Sequence, residues 1–226
     1  MIIPNLTINM MVKNEERYIE RTLRSVLPYA AAGIIVDTGS TDKTVEKIFN
    51  LLNSPKWDHI TFMVKPVTGD SINWNGAHLS KELTAIRNDM LFQTKTDWVW
   101  QVDGDEIYTP AAINDLRLAV GMLQSNFQRY QGIQVPIKWC TSDVEYALPG
   151  PFPKTLRVMP RTGKWVGEFP NEFLYVNGIP MTMNDGRCFT TSNPFLHMSI
   201  ALHPERRPAN GQIKELTTEE KACLNI

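Results

Sequence analysis

The chain has 226 residues, of which 42% are hydrophobic and 21% are charged. These proportions are typical of a globular protein and exclude a disordered chain or a fibrous repeat. Lys and Arg total 23 against 24 Asp and Glu, a net charge of −1, so no overall basic field attracts a polyanionic partner. A nucleic-acid partner would need a local basic patch, for which the candidates are Arg157, Arg161, Lys164, Arg206 and Arg207.

The start of the chain has no basic region followed by an apolar run, so no signal peptide is expected. No apolar stretch approaches the roughly 18 residues of a membrane span. The three cysteines form no Cys-x-x-Cys pair, which favours free thiols in a reducing compartment. We therefore expect a cytoplasmic protein without a membrane span, with free thiols at Cys140, Cys188 and Cys223.

Four short apolar runs in the first half of the chain predict β-strands. They cover residues 6–12, 33–36, 60–64 and 98–102, and their length and mostly apolar composition are typical of buried strands.

Amphipathic segments between and after these runs predict helices. Asn14 is the expected N-cap of the first helix, because two glutamates follow it in the first turn, and Pro28 ends that helix. Thr41 or Asp42 caps the second helix. The third and fourth helices are predicted from apolar residues at helical spacing: Leu83, Ile86, Met90 and Leu91, then Ile113, Leu116, Val120 and Leu123.

Alternation of strand and helix predicts an α/β fold with a mostly parallel sheet covered by helices. Ligands in such sheets bind outside the carboxyl ends of the strands. Asp37 and the acidic run 103–106 both fall at predicted strand ends. We therefore expect the functional site at that edge of the sheet.

The second half of the chain differs in composition. It is rich in Pro, Gly and aromatic residues between short extended runs such as 155–159 and 173–176. This predicts antiparallel strands and long loops of the kind that shape a pocket. We divide the chain into an α/β half (1–128), a region of strands and loops on the acceptor side of the same domain (129–200), and a polar C-terminal tail (201–226) with a short helix near residues 217–223.

Asp103-Gly104-Asp105 is the first candidate site. Two carboxylates at a strand end suit a hard divalent cation that keeps positions open for phosphate oxygens, and the glycine permits a close backbone approach. The alternative is an ordinary Asp/Gly turn. Asp37 has similar alternatives, since it can accept hydrogen bonds from a nucleoside or brace its own turn. The sequence contains neither a Walker A loop nor Gly-x-Gly-x-x-Gly, which disfavours a P-loop NTPase and a dinucleotide-binding protein.

Four segments together resemble family 2 glycosyltransferases. They are residues 11–16 (MVKNEE), 35–44 (IVDTGSTDKT), 85–88 (AIRN) and 102–106 (VDGDE), the last resembling the family's DxD motif. The resemblance implies a GT-A (Rossmann-like) fold, with a mostly parallel sheet flanked by helices and a smaller antiparallel, loop-rich C-terminal acceptor region.

The resemblance also implies roles for individual residues. Asp37, Arg87 and Asp103 would bind the nucleotide-sugar, and Asp105 would bind Mn²⁺ or Mg²⁺. In the related enzymes a C-terminal histidine often completes the metal shell, which here implies His197. The alternatives are His203 and His78 as the ligand, or His197 as a core histidine with its hydrogen bonds satisfied.

A later block, residues 156–159 (LRVM), 163–167 (GKWVG) and 170–172 (PNE), resembles the acceptor side of the family, although Asn171 stands where a His is usual. Glu172 is the candidate general base, which would take the proton of the attacking hydroxyl. Its alternatives are Glu168 and Asp143, or no catalytic role. Aromatic residues that could stack on a sugar or base are Trp74, Trp139 and Trp165.

The sequence thus predicts an inverting, metal-dependent glycosyltransferase whose donor is a nucleoside-diphosphate sugar, with UDP favoured. The acceptor is a hydroxyl group on a glycan, a protein or a modified nucleobase. Two alternatives stay open: a catalytically silent protein that binds nucleotide-sugar on the same fold, and a nucleotidyltransferase on a similar sheet.

Overall fold

Four parallel strands form the centre of the molecule in the order β4-β1-β2-β3. They are β1 (Ile3–Val12), β2 (Ala30–Asp37), β3 (Ile60–Val64) and β4 (Trp98–Asp103), so all four predicted strands are confirmed. The structure is a computed structural model, and it describes residues 1–67, 81–126, 129–142, 145–148, 154–167, 173–181, 186–198 and 212–224.

Helices connect or follow these strands, as the sequence predicts. They are α1 (Ile19–Val26), α2 (Thr44–Leu52), α3 (Lys81–Gln93) and α4 (Pro110–Ser125). Thr109 caps α4, its hydroxyl oxygen accepting a hydrogen bond from the Ala112 amide at 3.2 Å, which satisfies one of the free N–H groups of the first turn.

The second half of the chain extends the central sheet with antiparallel strands. From β4 the order continues β8-β6-β7-β14, while β5, β12 and β13 pair alongside this path. A separate three-stranded sheet has the order β11-β10-β9. The strands are β5 (Glu106–Ile107), β6 (Gly132–Cys140), β7 (Glu145–Leu148), β8 (Lys154–Pro160), β9 (Lys164–Val166), β10 (Phe173–Val176), β11 (Ile179–Pro180), β12 (Cys188–Thr190), β13 (Phe195–His197) and β14 (Gln212–Glu215).

The main apolar core lies between the sheet and helices α1 and α4. It contains fully buried side chains of β1 and β4, such as Ile8, Met10 and Trp100, and those of α4, such as Leu116 and Leu123. Burial of this kind is the dominant favourable contribution to folding, and it holds the strand ends at one edge of the sheet.

Asn14 does not cap α1, so that prediction is wrong. The helix begins at Ile19 after Tyr18, which makes no side-chain cap. Asn14 instead adopts a left-handed backbone conformation (φ 56°), which asparagine tolerates better than most residues, and its side chain binds the neighbouring loop. The segment between β1 and α1 is therefore a loop rather than the first turn of the helix.

The C-terminal segment contributes to the sheet and the core. Strand β14 pairs with β7, and the predicted short helix is confirmed as α5 (Thr218–Leu224). A capping box begins α5, because the Thr217 amide donates to Glu220 Oε2 (2.9 Å) and the Glu220 amide donates to Thr217 Oγ1 (3.3 Å). All three cysteines are free. Among the helices of the described segments, none has both the length and the apolar character that crossing a bilayer requires.

Candidate metal and nucleotide site

Two loops at the carboxyl edge of the sheet are joined by side-chain hydrogen bonds. The backbone N–H of Asn14 donates to Ser40 Oγ at 2.8 Å, and the backbone N–H of Thr41 donates to the side-chain oxygen Oδ1 of Asn14 at 2.8 Å. A second pair of contacts follows along the chain, where the Glu16 amide donates to Asp42 Oδ2 (3.1 Å) and the Lys43 amide donates to Glu16 Oε2 (3.0 Å). The segments 11–16 and 35–44 therefore form one rim around the end of β1.

Asp37 braces the turn that follows β2. Its carboxylate accepts hydrogen bonds from the Gly39 amide (2.9 Å), the Ser40 amide (3.0 Å) and the Ser40 hydroxyl group. The residue is fully buried, and Gly39 takes a positive φ of 108° that is readily accessible to glycine. All hydrogen bonds found for this side chain thus serve the turn, and its contact with a nucleoside stays a prediction.

The acidic run 103–106 lies on the other side of β1. Met11 of β1 pairs with Asp103 of β4, and Val12 pairs with Asp37 of β2, so both acidic segments end at the same edge. Gly104 packs against the β1–α1 loop so closely that a Cβ there would lie 2.7 Å from Glu15 Cγ. The lack of a side chain at Gly104 therefore allows two loops of the protein to pack closely together.

A buried guanidinium group balances part of this negative charge. Arg157 Nη2 lies 3.1 Å from Asp103 Oδ2 and forms an ion pair with Glu106. Glu106 is fully buried and also accepts a hydrogen bond from the Asp103 amide (3.3 Å), closing the turn. Arg157 is itself buried, so its suggested place in a surface basic patch is wrong; Arg206 and Arg207 lie outside the described residues.

The pKa values of the carboxyl groups reflect these surroundings. Burial raises the pKa of Asp103, but the positive charges of Arg157 and Arg87 and the nearby His197 outweigh it and hold the pKa below its ordinary value. Burial raises the pKa of Glu106 well above its ordinary value despite Arg157, and the neighbouring carboxylates add to the rise. The positive charges of Arg157 and Arg87 therefore favour the ionised form of Asp103, whereas burial and the neighbouring carboxylates favour the protonated form of Glu106.

Strand pairing brings His197 to this cluster. In β13, His197 is paired antiparallel with Glu106 of β5 and parallel with Trp139 of β6. Its Nε2 lies 3.7 Å from Asp105 Oδ1 and 4.0 Å from Glu106 Oε1. Its Nδ1 is buried without a hydrogen-bond partner among the described residues, so the imidazole is held at the acidic cluster chiefly by its strand and by packing.

These residues fit a divalent cation. One ligand atom from each of Asp103, Glu106 and His197 lies within 4.8 Å of the others, and Asp105 adjoins the histidine. Carboxylate and imidazole together suit Mn²⁺, whereas carboxylate alone also suits Mg²⁺. Glu106 is fully buried and paired with Arg157, while the Asp103 side chain is 35% exposed, so Asp103 is the more available of these two carboxylates.

Arg87 faces the same site from α3. It borders a cavity of about 190 Å³ together with Asp103, Gly104, Thr38 and Lys13. The Arg87 guanidinium group therefore lies near the acidic run, and its positive charge lowers the pKa of Asp103. The guanidinium carbon also lies 5.0 Å from the centre of the Trp165 ring, a cation–π distance.

A wider cavity of about 430 Å³ lies at the opposite, amino-terminal edge of the sheet, beside Asn5, Asp97, Trp98 and Tyr130. Its walls include none of the acidic residues of the cluster, and substrates of parallel α/β sheets bind at the other edge. Size alone therefore does not make it the candidate site.

Several sequence-predicted residues lie outside the described residues, namely Glu172, Glu168, Asp143, His203, His78 and Trp74. The structure brings together Asp103, Asp105, Arg87 and His197, with Asp37 at the same rim. Sequence reasoning gave Glu106 no role of its own and suggested Arg157 only as part of a surface basic patch. The signal for Arg157 is a lone charge within the apolar run of β8, since a charged side chain on a buried strand needs a charged partner.

The chain belongs to glycosyl transferase family 2, because the model of that family matches residues 7–126, more than half of the sequence. The predicted α/β fold, with a parallel central sheet flanked by helices and antiparallel strands in the second half of the chain, is confirmed. No curated protein matches the chain significantly.

Three solved structures are similar to part of the chain. S. aureus TarS (residues 1–349) is 20% identical with a TM-score of 0.40, over 59% of this chain and 35% of that one. Glucosyl-3-phosphoglycerate synthase from Mycobacterium tuberculosis, in complex with Mn²⁺, UDP and phosphoglyceric acid, is 19% identical with a TM-score of 0.40, over 59% and 43%. A mycobacterial protein is 17% identical with a TM-score of 0.42, over 59% and 41%. The chain thus covers less than half the length of each.

Proposed function

We propose that the protein is an inverting glycosyltransferase that transfers a sugar from a metal-bound nucleoside-diphosphate sugar to a hydroxyl acceptor. One observation carries the proposal: Asp103, Asp105 and His197 come together at the carboxyl edge of the sheet, beside a cavity lined by Arg87. Family membership over residues 7–126 gives this cluster a chemical context.

In this proposal Asp105 and His197 hold a Mn²⁺ or Mg²⁺ ion, with Asp103 beside them toward the donor. When bound, the cation would neutralise charge that develops on the departing nucleoside diphosphate. Arg87 adds a second positive charge at the cavity, and Asp37 shapes the turn on which the nucleoside would rest. The buried Glu106–Arg157 ion pair holds the acidic turn in place on its protein side.

Glu172 is the proposed general base, with Glu168 and Asp143 as alternatives. The hydroxyl acceptor, whether a glycan, a protein or a modified nucleobase, would lie on the side of the chain formed by residues 129–200. The cytoplasm, suggested by the free cysteines, is the proposed location. Glucosyl-3-phosphoglycerate synthase was crystallised with UDP and either Mn²⁺ or Mg²⁺, so UDP-sugars and these two cations are the first to test.

Thermal denaturation with a panel of nucleotide-sugars, with and without Mn²⁺, tests the proposal. A donor that binds the folded state raises the melting temperature by mass action, and we expect that rise to require the cation. Asp105→Asn and His197→Ala should each weaken Mn²⁺ binding by about tenfold or more in calorimetry and slow nucleotide release from the donor. Asp89→Asn, at an exposed position of α3, is the matched control.

Two outcomes would contradict the proposal. If both Asp105→Asn and His197→Ala bound Mn²⁺ with full affinity, these two residues would not form the metal site. Tight nucleotide binding with no turnover of any donor would instead favour a silent binding protein. For the base, Glu172→Gln should leave donor binding intact and slow transfer by orders of magnitude; unchanged transfer would shift the role to Glu168 or Asp143.

A further inference from the structure

The wider cavity at the amino-terminal edge of the sheet lies apart from the acidic cluster. Its walls are formed by the start of β4, the end of β8, the turn between β10 and β11 and the end of α4. Its volume of about 430 Å³ is typical of a site for a small molecule. The length of β4 separates Asp97 at this cavity from Asp103 in the acidic cluster, a distance of about 20 Å at the usual rise per residue. A small ligand in this cavity therefore does not occupy the candidate donor site.

Asn5 holds the carboxylate of Asp97 at the wall of this cavity. Asn5 Nδ2 donates to Asp97 Oδ2 at 2.8 Å, and the backbone N–H of Asp97 donates to Asn5 Oδ1 at 2.8 Å. Asn5 takes a left-handed backbone conformation (φ 59°) where the register between β1 and β2 shifts, a conformation that asparagine tolerates better than most residues. No described residue donates to Asp97 Oδ1, so a fixed carboxylate offers one oxygen to a ligand.

Arg161 adds a positive charge to the cavity without binding the Asp97 carboxylate. The pairing of Trp98 with Pro160 brings the two residues together, and the Arg161 backbone N–H donates to the Asp97 carbonyl oxygen at 2.9 Å. Both side chains line the cavity, yet within the described part of the chain the Arg161 guanidinium group forms neither an ion pair nor a hydrogen bond. One negative and one positive charge leave the lining with no excess of either sign, which disfavours a polyanion as the ligand.

Two glutamines at the cavity are each anchored by one half of the carboxamide group. Gln124 Nε2 donates to the Pro4 carbonyl oxygen at 2.9 Å, and its Oε1 has no donor among the described residues. Gln131 Oε1 accepts from Arg187 Nη1 at 2.9 Å, and its NH₂ group has no acceptor in the same set. Because the anchored half fixes each side chain, one acceptor and one donor are offered to a ligand in defined positions.

Three further polar side chains line the cavity, namely Tyr130, Thr162 and Asn177. None of these side chains forms a hydrogen bond within the segments that the structure describes. The Tyr130 ring lies edge-on to Phe189, with ring centres 6.0 Å apart. Asn177 belongs to the two-residue Asn-Gly turn between β10 and β11, in which both residues have a positive φ. Packing and turn geometry thus hold two of the three groups in place.

We propose that this cavity binds a small uncharged saccharide, at a site separate from the donor site. Each sugar hydroxyl group both donates and accepts, so a saccharide uses the mixture of unused acceptors and donors in this lining. An apolar ligand would leave these polar groups without partners, and a phosphate group would lie against the Asp97 carboxylate. Asp97 and Arg161 provide a charged acceptor and a charged donor, which form the stronger hydrogen bonds. The inference does not rest on the proposed metal site or on transfer, because no residue of the acidic cluster lines the cavity.

NMR titration of the ¹⁵N-labelled full chain tests the proposal. The probes are glucose, N-acetylglucosamine, maltose and cellobiose, with UDP and the free amino acid alanine as charged comparison compounds. At least one saccharide should shift the backbone amide signals of Thr162 and Asn177 with a Kd on the order of 1 mM or lower. The signals of Gly39 and Gly104, at the donor site, should not move with that saccharide. UDP and alanine should leave the Thr162 and Asn177 signals unchanged.

Substitutions at the cavity wall test which side chains bind the saccharide. Arg161→Ala should weaken binding by about tenfold or more, because it removes a charged donor. Asn177→Gly should weaken binding by about threefold to tenfold, and glycine keeps the left-handed backbone of the turn. Both side chains are exposed, so neither substitution disturbs the core. The matched control is Arg24→Ala, which removes an exposed arginine of α1 and should leave the affinity unchanged.

The proposal is overturned if no saccharide of the panel moves the Thr162 and Asn177 signals at about 10 mM, tenfold above a Kd of 1 mM. Shifts confined to Gly39 and Gly104 would place the saccharide at the donor site instead. Equal or larger cavity shifts with UDP or alanine would show that the cavity selects a charged ligand. Unchanged affinity in both Arg161→Ala and Asn177→Gly would also overturn the assignment. Should the wild-type protein turn over no donor, the proposed function fails, while the saccharide titration still decides this inference.

Discussion

At the scale of single residues, Asp42 shows how charge stabilises the loops around the site. Its carboxylate accepts from the Thr44 amide (2.9 Å), the Thr44 hydroxyl group and the Glu16 amide. Partial burial raises its pKa, but these hydrogen bonds outweigh burial and hold the pKa below its ordinary value. A carboxyl group with a lowered pKa in the folded state stabilises the protein above the pKa of the unfolded chain, and this contribution disappears as the pH falls through the folded-state pKa.

Asp42→Asn should therefore destabilise the protein at pH 7, and the difference between the two proteins should shrink as the pH falls through the lowered pKa of Asp42. We expect a loss of about 1 kcal/mol at neutral pH, the usual value for a side chain that caps backbone amides. Urea unfolding of both proteins across this pH range measures the difference. Asp58→Asn, at an exposed position, controls for the removal of a surface charge. A difference that grows toward low pH would contradict the assigned role of Asp42.

Arg157 is the residue on which the acidic cluster depends most. Three carboxylates lie within four positions, at 103, 105 and 106, and one buried guanidinium group opposes them. The strong field of Asp103 and Glu106 raises the pKa of Arg157 above its ordinary value despite burial, so it stays charged. This fixed internal cation offsets part of the negative charge of the acidic turn.

At the scale of elements, Gly104 is where the β4–β5 turn meets the β1–α1 loop. A Cβ at this position would lie 2.7 Å from Glu15 Cγ and 3.1 Å from Val12 Cγ1, closer than ordinary contacts allow. The Gly104 carbonyl oxygen also accepts from the Thr22 hydroxyl group of α1 at 2.9 Å. Any movement here shifts the aspartates on both sides of the glycine.

Gly104→Ala should lower the free energy of unfolding by about 1–3 kcal/mol, as expected for overpacking, and weaken Mn²⁺ binding. The matched control is Gly121→Ala in α4, where no atom lies within 4 Å of the added Cβ. That control should stabilise the helix by up to about 1 kcal/mol. Urea unfolding and calorimetric Mn²⁺ titration provide the measurements, and equal effects of the two substitutions would show that the Gly104 contact is unimportant.

At the scale of the whole molecule, the C-terminal helix α5 is tied to the sheet by a buried ion pair. Lys138 of β6 binds Glu220 of α5, with only 9% and 12% of the two side chains exposed. Around this pair, Leu216 and Leu224 pack with Leu196 and Met198, which lie on either side of His197. The C-terminal segment thus supports the strand that presents the candidate metal ligand.

Glu220→Gln should destabilise the protein by about 3 kcal/mol, because it removes the charge of the α5 side chain that Lys138 binds in a buried position. The amide retains an acceptor for the capping box, so the effect isolates the ion pair. For a chain of this size the melting temperature should fall by roughly 6–12 °C. Glu219→Gln, an exposed neighbour, should have little effect. Equal melting temperatures of the two variants would mean that the pair contributes nothing.

Much of the central fold was predictable because its signals are local. The apolar runs of β1 to β4 and the helical spacing in α3 and α4 record which faces are buried, and burial periodicity distinguishes strand from helix. Asp103 and Asp105 are separated by one residue at a strand end, so their proximity can be predicted from the sequence without knowing the fold. Asn14 misled the prediction because a side chain that can cap a helix can equally bind a neighbouring loop.

The sequence by itself determined the α/β class, the family and the acidic edge of the sheet. Only the tertiary structure decided that His197 pairs with Glu106, that Arg157 neutralises Asp103 across 54 positions, and that Asn88 holds Trp165 across 77 positions. The physical reason is that a local pattern records how deeply a side chain is buried but not which partner it meets. Partners are set by strand order and register, which arise from contacts between distant segments.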